Sequence, residues 1–324
     1  MNDFDKVRFI TIEEAAGQRL DNFLLRELKG LPKSRIYRLI RKGEIRINKK
    51  RSKPETKLQQ GDVLRIPPVR LAPPQEIPAP RPGLRDRLLE GIIAESDDFL
   101  VVNKPAGLSV HGGSGVRLGL IEAMRQLRPQ WGSLELAHRL DRDTSGCLVL
   151  AKNPIFLRHL HEGLKAKTVE KTYLALVLGY WPDNLVEVNA ALEKNLLQSG
   201  ERMVRVSQAG KSSLTLFAVV QRFGRLATLV EARPETGRTH QIRVHCQFAG
   251  HPIVGDSKYS GDASTSFPVK VPGLCLHAAA IAFTLPGETA RQRFAADLDP
   301  DFQALLNSLE SQLKSVSAAV ASRH

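Results

Sequence analysis

Cysteine is scarce, three in 324 residues, and the three do not act together. Cys147, Cys246 and Cys275 lie far apart among apolar neighbours, with no Cys-x-x-Cys or Cys/His ligand spacing. A disulfide framework and a structural zinc site are excluded, and reduced core thiols are expected. His159 and His161 form a His-x-His pair, but no nearby Cys or carboxylate completes a ligand set, so no metal is expected. Long apolar runs are also missing. The longest, Ala278 to Leu285, is interrupted by Thr284 and falls well short of the roughly 18 to 20 residues of a membrane helix. Met1 to Lys6 mixes acidic and polar residues and lacks the basic start and apolar stretch of a secretory signal, so a cytoplasmic protein is expected. Gly112, Gly113 and Gly115 have no strand-to-helix Gly-x-Gly-x-x-Gly pattern around them, which argues against a nucleotide loop. No internal repeat is found.

Acidic residues are short mainly in one place. Between Lys29 and Lys57 twelve Lys and Arg face two acids, so ten of the thirteen excess positive charges sit in one short segment. Such a patch is favourable against polyphosphate, because each neutralised phosphate releases condensed counterions. With 42% hydrophobic and 25% charged residues, the composition is that of a globular protein with one sizeable domain and a small one.

The basic segment has helical and strand signals. Leu20, Phe23, Leu24 and Leu28 predict an amphipathic helix over 19–28, ended by Gly30 and Pro32. A second helix follows, with Ser34 as its expected cap, Ile36, Leu39 and Ile40 as its apolar face and Gly43 as its stop. Ile45, Ile47 and then Val63, Leu64 and Ile66 after a Gly61-Asp62 turn are strand-like. Arg19 to Asp21, Ser34 and Arg35, Leu39 to Gly43, Ile47 with Asn48, and Gly61 with Asp62 resemble the S-four-like (alpha-L) RNA-binding module. The resemblance implies that Lys33, Arg35, Arg38, Arg41, Lys42, Arg46, Lys49, Lys50 and Arg51 contact RNA, chiefly its phosphates.

The module is expected over 18–66 and a stiff linker over 67–83, where seven of the 19 prolines fall. From 84 to 313 the pattern predicts an α+β catalytic domain with a mixed, largely antiparallel sheet. Its strands are expected at 99–102, 147–150, 172–178, 227–231 and 278–283, and a closing helix at 302–313. The Ser/Ala-rich tail, 314–324, is expected to be frayed or disordered.

The segment Leu136 to Gly146 packs two carboxylates and two arginines into a polar loop at the start of an apolar strand. On its own, the plainer reading is a turn built by Asp143 to Gly146, with Asp141 paired to an arginine. His138, Asp141 and Ser145 do not make a hydrolase triad, because the serine lies in a turn just after the carboxylate and lacks a Gly-x-Ser-x-Gly elbow. However, His138 to Gly146 resembles the signature of the RluA-type pseudouridine synthases. The order of Asn103 to Gly107 with His111 to Gly113, Lys171 to Ala175, Gly237 to His245 and Gly250 to Asp256 agrees, as does Leu197 to Arg202.

That resemblance implies isomerisation of uridine to pseudouridine, with Asp141 as the essential carboxylate. Attack at ribose C1′, deprotonation at C2′ and addition to the base remain open routes. Arg243 is the implied counter-charge, on a helix whose expected N-cap is Thr239 and whose apolar face is Ile242, His245, Cys246 and Ala249. Ile242 is implied to line the uracil pocket, and Tyr173 to pack on the base and to be a candidate for handling its C5 proton. Arg139 is implied to replace the flipped base in the stack, and Lys104 and Arg238 to contact phosphate. Substrate and product are isomers, so no cofactor or metal is expected. The implied partner is large-subunit ribosomal RNA, with no membrane, no obligate protein partner and a monomeric chain. Transfer RNA or another RNA is the alternative substrate, and a non-catalytic RNA-binding assembly factor the alternative function. Removing residues 1 to 66 should weaken RNA binding and flatten the slope of log affinity against log salt. Titrations at several salt concentrations check this, and an unchanged slope would remove the module's role.

Overall fold

The structure, a computed structural model, describes residues 6–13, 15–28, 30–69, 77–113, 116–131, 134–196, 202–261 and 267–321. The chain divides into two units, Met1–Ile77 and Pro78–His324. In the first, strand β1 (Arg8–Thr11) precedes helices α1 (Leu20–Glu27) and α2 (Lys33–Lys42), then β2 (Arg46–Ile47) and β3 (Val63–Ile66). β3 is the centre of an antiparallel sheet with β1 and β2 on its two sides. The apolar faces meet as their spacing predicts: Leu20 and Leu24 pack with Ile36, Leu39 and Ile40, and against Leu64 and Ile66. Gly43 ends α2 in a left-handed conformation, φ 70°, which glycine adopts without a Cβ penalty.

Two local expectations are corrected. Pro32, not Ser34, takes the N-cap position of α2, and Ser34 lies inside the helix; the fixed φ of proline sets the chain's entry there. β1 lies upstream of the expected module and covers what would otherwise be an open edge of β3. The linker is shorter than 67–83. Val69 packs into the module core, residues 70–76 lie outside the described ones, and Pro82 already opens α3 (Pro82–Glu90), where a missing N–H costs nothing. Buried Asp21 ties α1 to α2. It accepts from Arg19 Nε and Nη2 at 3.0 and 2.7 Å and from the Tyr37 hydroxyl at 2.8 Å, and the Arg19 guanidinium holds its carboxyl down at about 2.

The second unit continues with β4 (Ile92–Glu95), β5 (Phe99–Lys104), α4 (Leu120–Leu127), β6 (Glu135–Leu136), β7 (Ser145–Ala151) and α5 (Pro154–Ala166). Then come β8 (Glu170–Leu178), β9 (Glu187–Asn189), β10 (Leu192–Leu196), β11 (Arg202–Val206), β12 (Leu214–Phe223) and β13 (Ala227–Pro234). α6 (Gln241–Phe248), β14 (Leu276–Thr284), β15 (Arg291–Ala295) and α7 (Pro300–Ala321) complete it. One large sheet runs β4-β5-β7-β14-β8-β13-β12-β9, with β15 beside β14 and β6 beside β7, while β10 and β11 pair separately. Among the described residues β7 and β14 are its one parallel pair. This is the mixed, largely antiparallel sheet expected. β7 is buried on both faces. Its Cys147 and Val149 pack on one side with Phe156 of α5, and Leu148 and Leu150 on the other with Leu120 and Met124 of α4. All three cysteines are free and buried.

α7 packs Phe302, Leu305, Leu306 and Leu309 into the core and runs to Ala321, past the expected end at 313. Alanine is the best helix former, and the added turns contain Ala318, Ala319 and Ala321. Residues 322–324 of the expected tail, and most of the segment 197–202, fall outside the described residues. No helix among the described residues is long and apolar enough to cross a membrane.

The parallel pairing joins Ser145 to His277 and Gly146 to Ala278. Gly146 is required there: its φ is 105°, and a Cβ would collide with the Ala278 backbone. Gly146→Ala should therefore cost about 2 to 4 kcal/mol in urea unfolding. A cost below about 0.5 kcal/mol, the range of ordinary surface changes, would show that β7 and β14 are not locked at this point.

Candidate active site

β6 returns to β7 through residues 137–144. Buried Leu140 anchors this loop in the core, and the Thr144 N–H donates to the Asp141 carbonyl at 3.2 Å to close its turn. Lys104, at the end of β5, ties a second loop to it. Its ammonium is wholly buried and donates to the carbonyls of Pro105, Leu108 and Arg142 at 2.9, 2.8 and 2.8 Å. Burial pulls its pKa down to about 7, and the three carbonyls take all three of its protons.

The Asp141 side chain is 24% exposed and lines a cleft of about 420 Å³. Arg243, on the first turn of α6, donates from Nη1 to Asp141 Oδ2 at 3.3 Å. The rest of its guanidinium is committed to Asp256, with Nε and Nη2 each 2.7 Å from a carboxylate oxygen. Burial opposes the charge on Arg243, but its bonds to Asp256 and the nearness of Asp141 outweigh this and raise its pKa. The guanidinium also lies over the Tyr259 ring at 5.0 Å. His240 Nε2 is 3.6 Å from the same Asp141 Oδ2. Among the described residues no hydrogen bond engages Asp141 Oδ1.

Tyr173 of β8, Ile242 of α6 and Leu276 of β14 form an apolar wall of the cleft. Burial, and secondarily the Asp141 charge, raise the Tyr173 pKa, so the phenol stays protonated. Arg139 and Arg238 line the cleft as exposed side chains, and Lys171 lines it partly buried. A carboxylate with one oxygen free of hydrogen bonds among the described residues, an apolar wall and exposed cations suits a small flat ring carried on an anionic chain.

Comparisons with known proteins agree on a family. The model described as RNA pseudouridylate synthase matches residues 98–248, and the S4 domain matches 18–64. "Ribosomal large subunit pseudouridine synthase C" of Haemophilus influenzae is 53% identical over 308 residues, 94% of this chain and 95% of the relative. The protein of the same name from Escherichia coli K12 is 53% identical over 313 residues, 94% and 97% of the two chains. The chain belongs to the RluA-type RNA pseudouridine synthases. Among solved structures, Human RNA Pseudouridylate Synthase Domain Containing 4 aligns with a TM-score of 0.57 at 26% identity, covering 70% of this synthase and 96% of that chain. Domain Containing 1 aligns at 0.54 and 30% identity, over 68% and 87%.

The fold brings Asp141, Tyr173, Ile242, Arg243, Arg139 and Arg238 of the synthase to one cleft. Lys104 is not among them. A side chain wholly buried and bonded to three carbonyls cannot reach phosphate, so its expected RNA contact is replaced by a structural one. The nine expected RNA-contacting cations belong to the N-terminal unit and are all exposed. Thr239 does not cap α6. His240 takes that position in a left-handed conformation, while the Gln241 side chain gathers the preceding loop, accepting from the Arg238 N–H at 3.0 Å and the Thr236 hydroxyl at 2.7 Å. Ser145 bonds His277 at 2.9 Å, and His138 accepts the Val149 N–H at 3.0 Å, so no hydrolase triad exists. Burial keeps His138 neutral, with a pKa near 4.

Sequence reasoning assigned no role to His240, Asp256, Tyr259 or Lys171. Asp256 ended a quoted motif, Lys171 opened another and His240 lay inside a third, which were the available signals; Tyr259 had none. Lys104→Met should lower unfolding stability by about 3 kcal/mol, since it orphans buried carbonyls, and leave the salt slope of RNA affinity unchanged. Arg139→Ala should do the reverse, lowering the slope by about 1 at little cost in stability. A slope change in Lys104→Met would restore it as a phosphate contact.

Proposed function

We propose that this synthase converts specific uridines of large-subunit ribosomal RNA to pseudouridine, with Asp141 as the reacting carboxylate. The arrangement around Asp141 carries the reading. Oδ2 accepts a hydrogen bond from Arg243, while Oδ1 accepts none among the described residues and the side chain lines a cleft wide enough for one nucleoside. The reaction breaks N1–C1′, turns the base, forms C5–C1′, releases the C5 proton and returns a proton to N1. Attack at C1′, proton removal at C2′ and addition to the base all need a bare carboxylate oxygen against the nucleotide.

The uridine must leave the RNA stack to reach Asp141, at a cost of a few kcal/mol. Tyr173 and Ile242 receive the extruded ring. Arg139, exposed along the cleft, takes the space it vacates and contacts phosphate, as does Arg238. The N-terminal cations hold the flanking RNA by its charge. Both parts are on one chain, which acts without a protein partner. The substrate reading is supported by relatives named for the large ribosomal subunit, which match this chain almost end to end.

The test maps pseudouridine across ribosomal and transfer RNA in cells lacking the gene, then restored with wild type or Asp141→Asn. Specific large-subunit sites should disappear and return with wild type alone. Loss of transfer RNA sites instead would reassign the substrate, no lost site would indicate an assembly factor, and rescue by Asp141→Asn would remove the carboxylate from the chemistry.

A further inference from the structure

His240 stands in the left-handed backbone region, with φ and ψ of 55° and 21°, which asparagine, aspartate and glycine also enter readily. Local backbone preference therefore does not single out an imidazole here. The hydrogen bonds around the ring suggest what does. His240 Nδ1 lies 2.7 Å from the Tyr259 hydroxyl, which accepts the Val204 N–H at 3.1 Å. A phenol has one proton, and with a lone pair already occupied by Val204 that proton goes to Nδ1. The neutral ring then carries its own proton on Nε2, the atom facing Asp141 Oδ2 at 3.6 Å. The opposite tautomer would set a lone pair against the carboxylate. Burial lowers the His240 pKa against the pull of Asp141, which keeps the ring in this neutral form.

Tyr259 is itself fixed. Its backbone N–H and that of Lys258 donate to Asp256 Oδ1 at 3.2 and 3.0 Å, and its ring lies beneath the Arg243 guanidinium. One turn, 256 to 259, thus supports both groups that approach Asp141 Oδ2.

We propose that His240, oriented by Tyr259, is a positioning residue that pins Asp141 Oδ2 together with Arg243 and so leaves Oδ1 as the oxygen presented to the nucleotide. The inference rests on Asp141 being the reacting carboxylate. At 3.6 Å the contact is too long for a hydrogen bond in the free enzyme, and it shortens as the nucleotide closes the cleft, as catalytic contacts do.

His240→Asn suits the left-handed backbone but cannot reach Asp141, and Tyr259→Phe removes the hydroxyl while keeping the ring beneath Arg243. Single-turnover pseudouridine formation on ribosomal RNA should slow by about 10- to 100-fold in His240→Asn, with RNA affinity within about twofold of wild type. Tyr259→Phe should slow it less, and the double variant should be no slower than His240→Asn alone, because the hydroxyl acts only through the imidazole. Added imidazole should restore part of the rate in His240→Gly, which a purely structural histidine would not permit. Wild type and Asp141→Asn run in parallel. An inactive wild type, or an active Asp141→Asn, would count against the catalytic assignment. An active wild type with His240→Asn at full rate, independent losses in the double variant, or no imidazole rescue would overturn the role of His240.

Discussion

A guanidinium held away from water needs its charge answered locally, and Arg243 is answered by two carboxylates at once. Asp256 grips Nε and Nη2 in a planar two-bond contact, leaving Nη1 for Asp141. The geometry needs arginine, since a lysine ammonium has no rigid fork with which to hold one acid and point at another. Such a buried pair contributes little to stability once desolvation is counted. Its effect is directional: Asp256 fixes the arginine, and the arginine fixes one oxygen of Asp141.

That contact can form only because the sheet brings distant segments together. Asp141 and Arg243 are 102 residues apart, and the loop bearing Asp141 is placed by β7, buried on both faces and running parallel to β14. Gly146 allows the close approach at this crossing. Lys104 ties the adjoining loop to the carbonyl of Arg142 from inside the protein. Rigid strands thus carry a polar loop, which fits chemistry that requires a reactive oxygen to be held still.

Positive charge stands in two separate settings in this chain. The exposed lysines and arginines of α2 and the following loop can each meet a phosphate and release counterions, whereas Arg243 and Lys104 are enclosed by carboxylates or carbonyls and organise the protein. Residue type alone does not separate the two settings; burial does. This is why Lys104, beside a motif rich in functional residues, reads from sequence like an RNA contact and proves to be a strut.

The sequence by itself determined the features that depend on near neighbours: the apolar faces of α1 and α2, the stop at Gly43, the basic segment, the main strands of the sheet and the loop bearing Asp141. Periodicity and turn chemistry are local properties, and motif order carried the family. Beyond Arg243, which the family resemblance implied, tertiary structure alone decided what surrounds Asp141. Asp256, Tyr259 and the ring of His240 converge through pairings over long separations, and no spacing rule encodes such distances. It also decided that β1 would cover the edge of β3 and that Lys104 would be buried. Each of these outcomes depends on which surfaces lose their water when the sheet assembles.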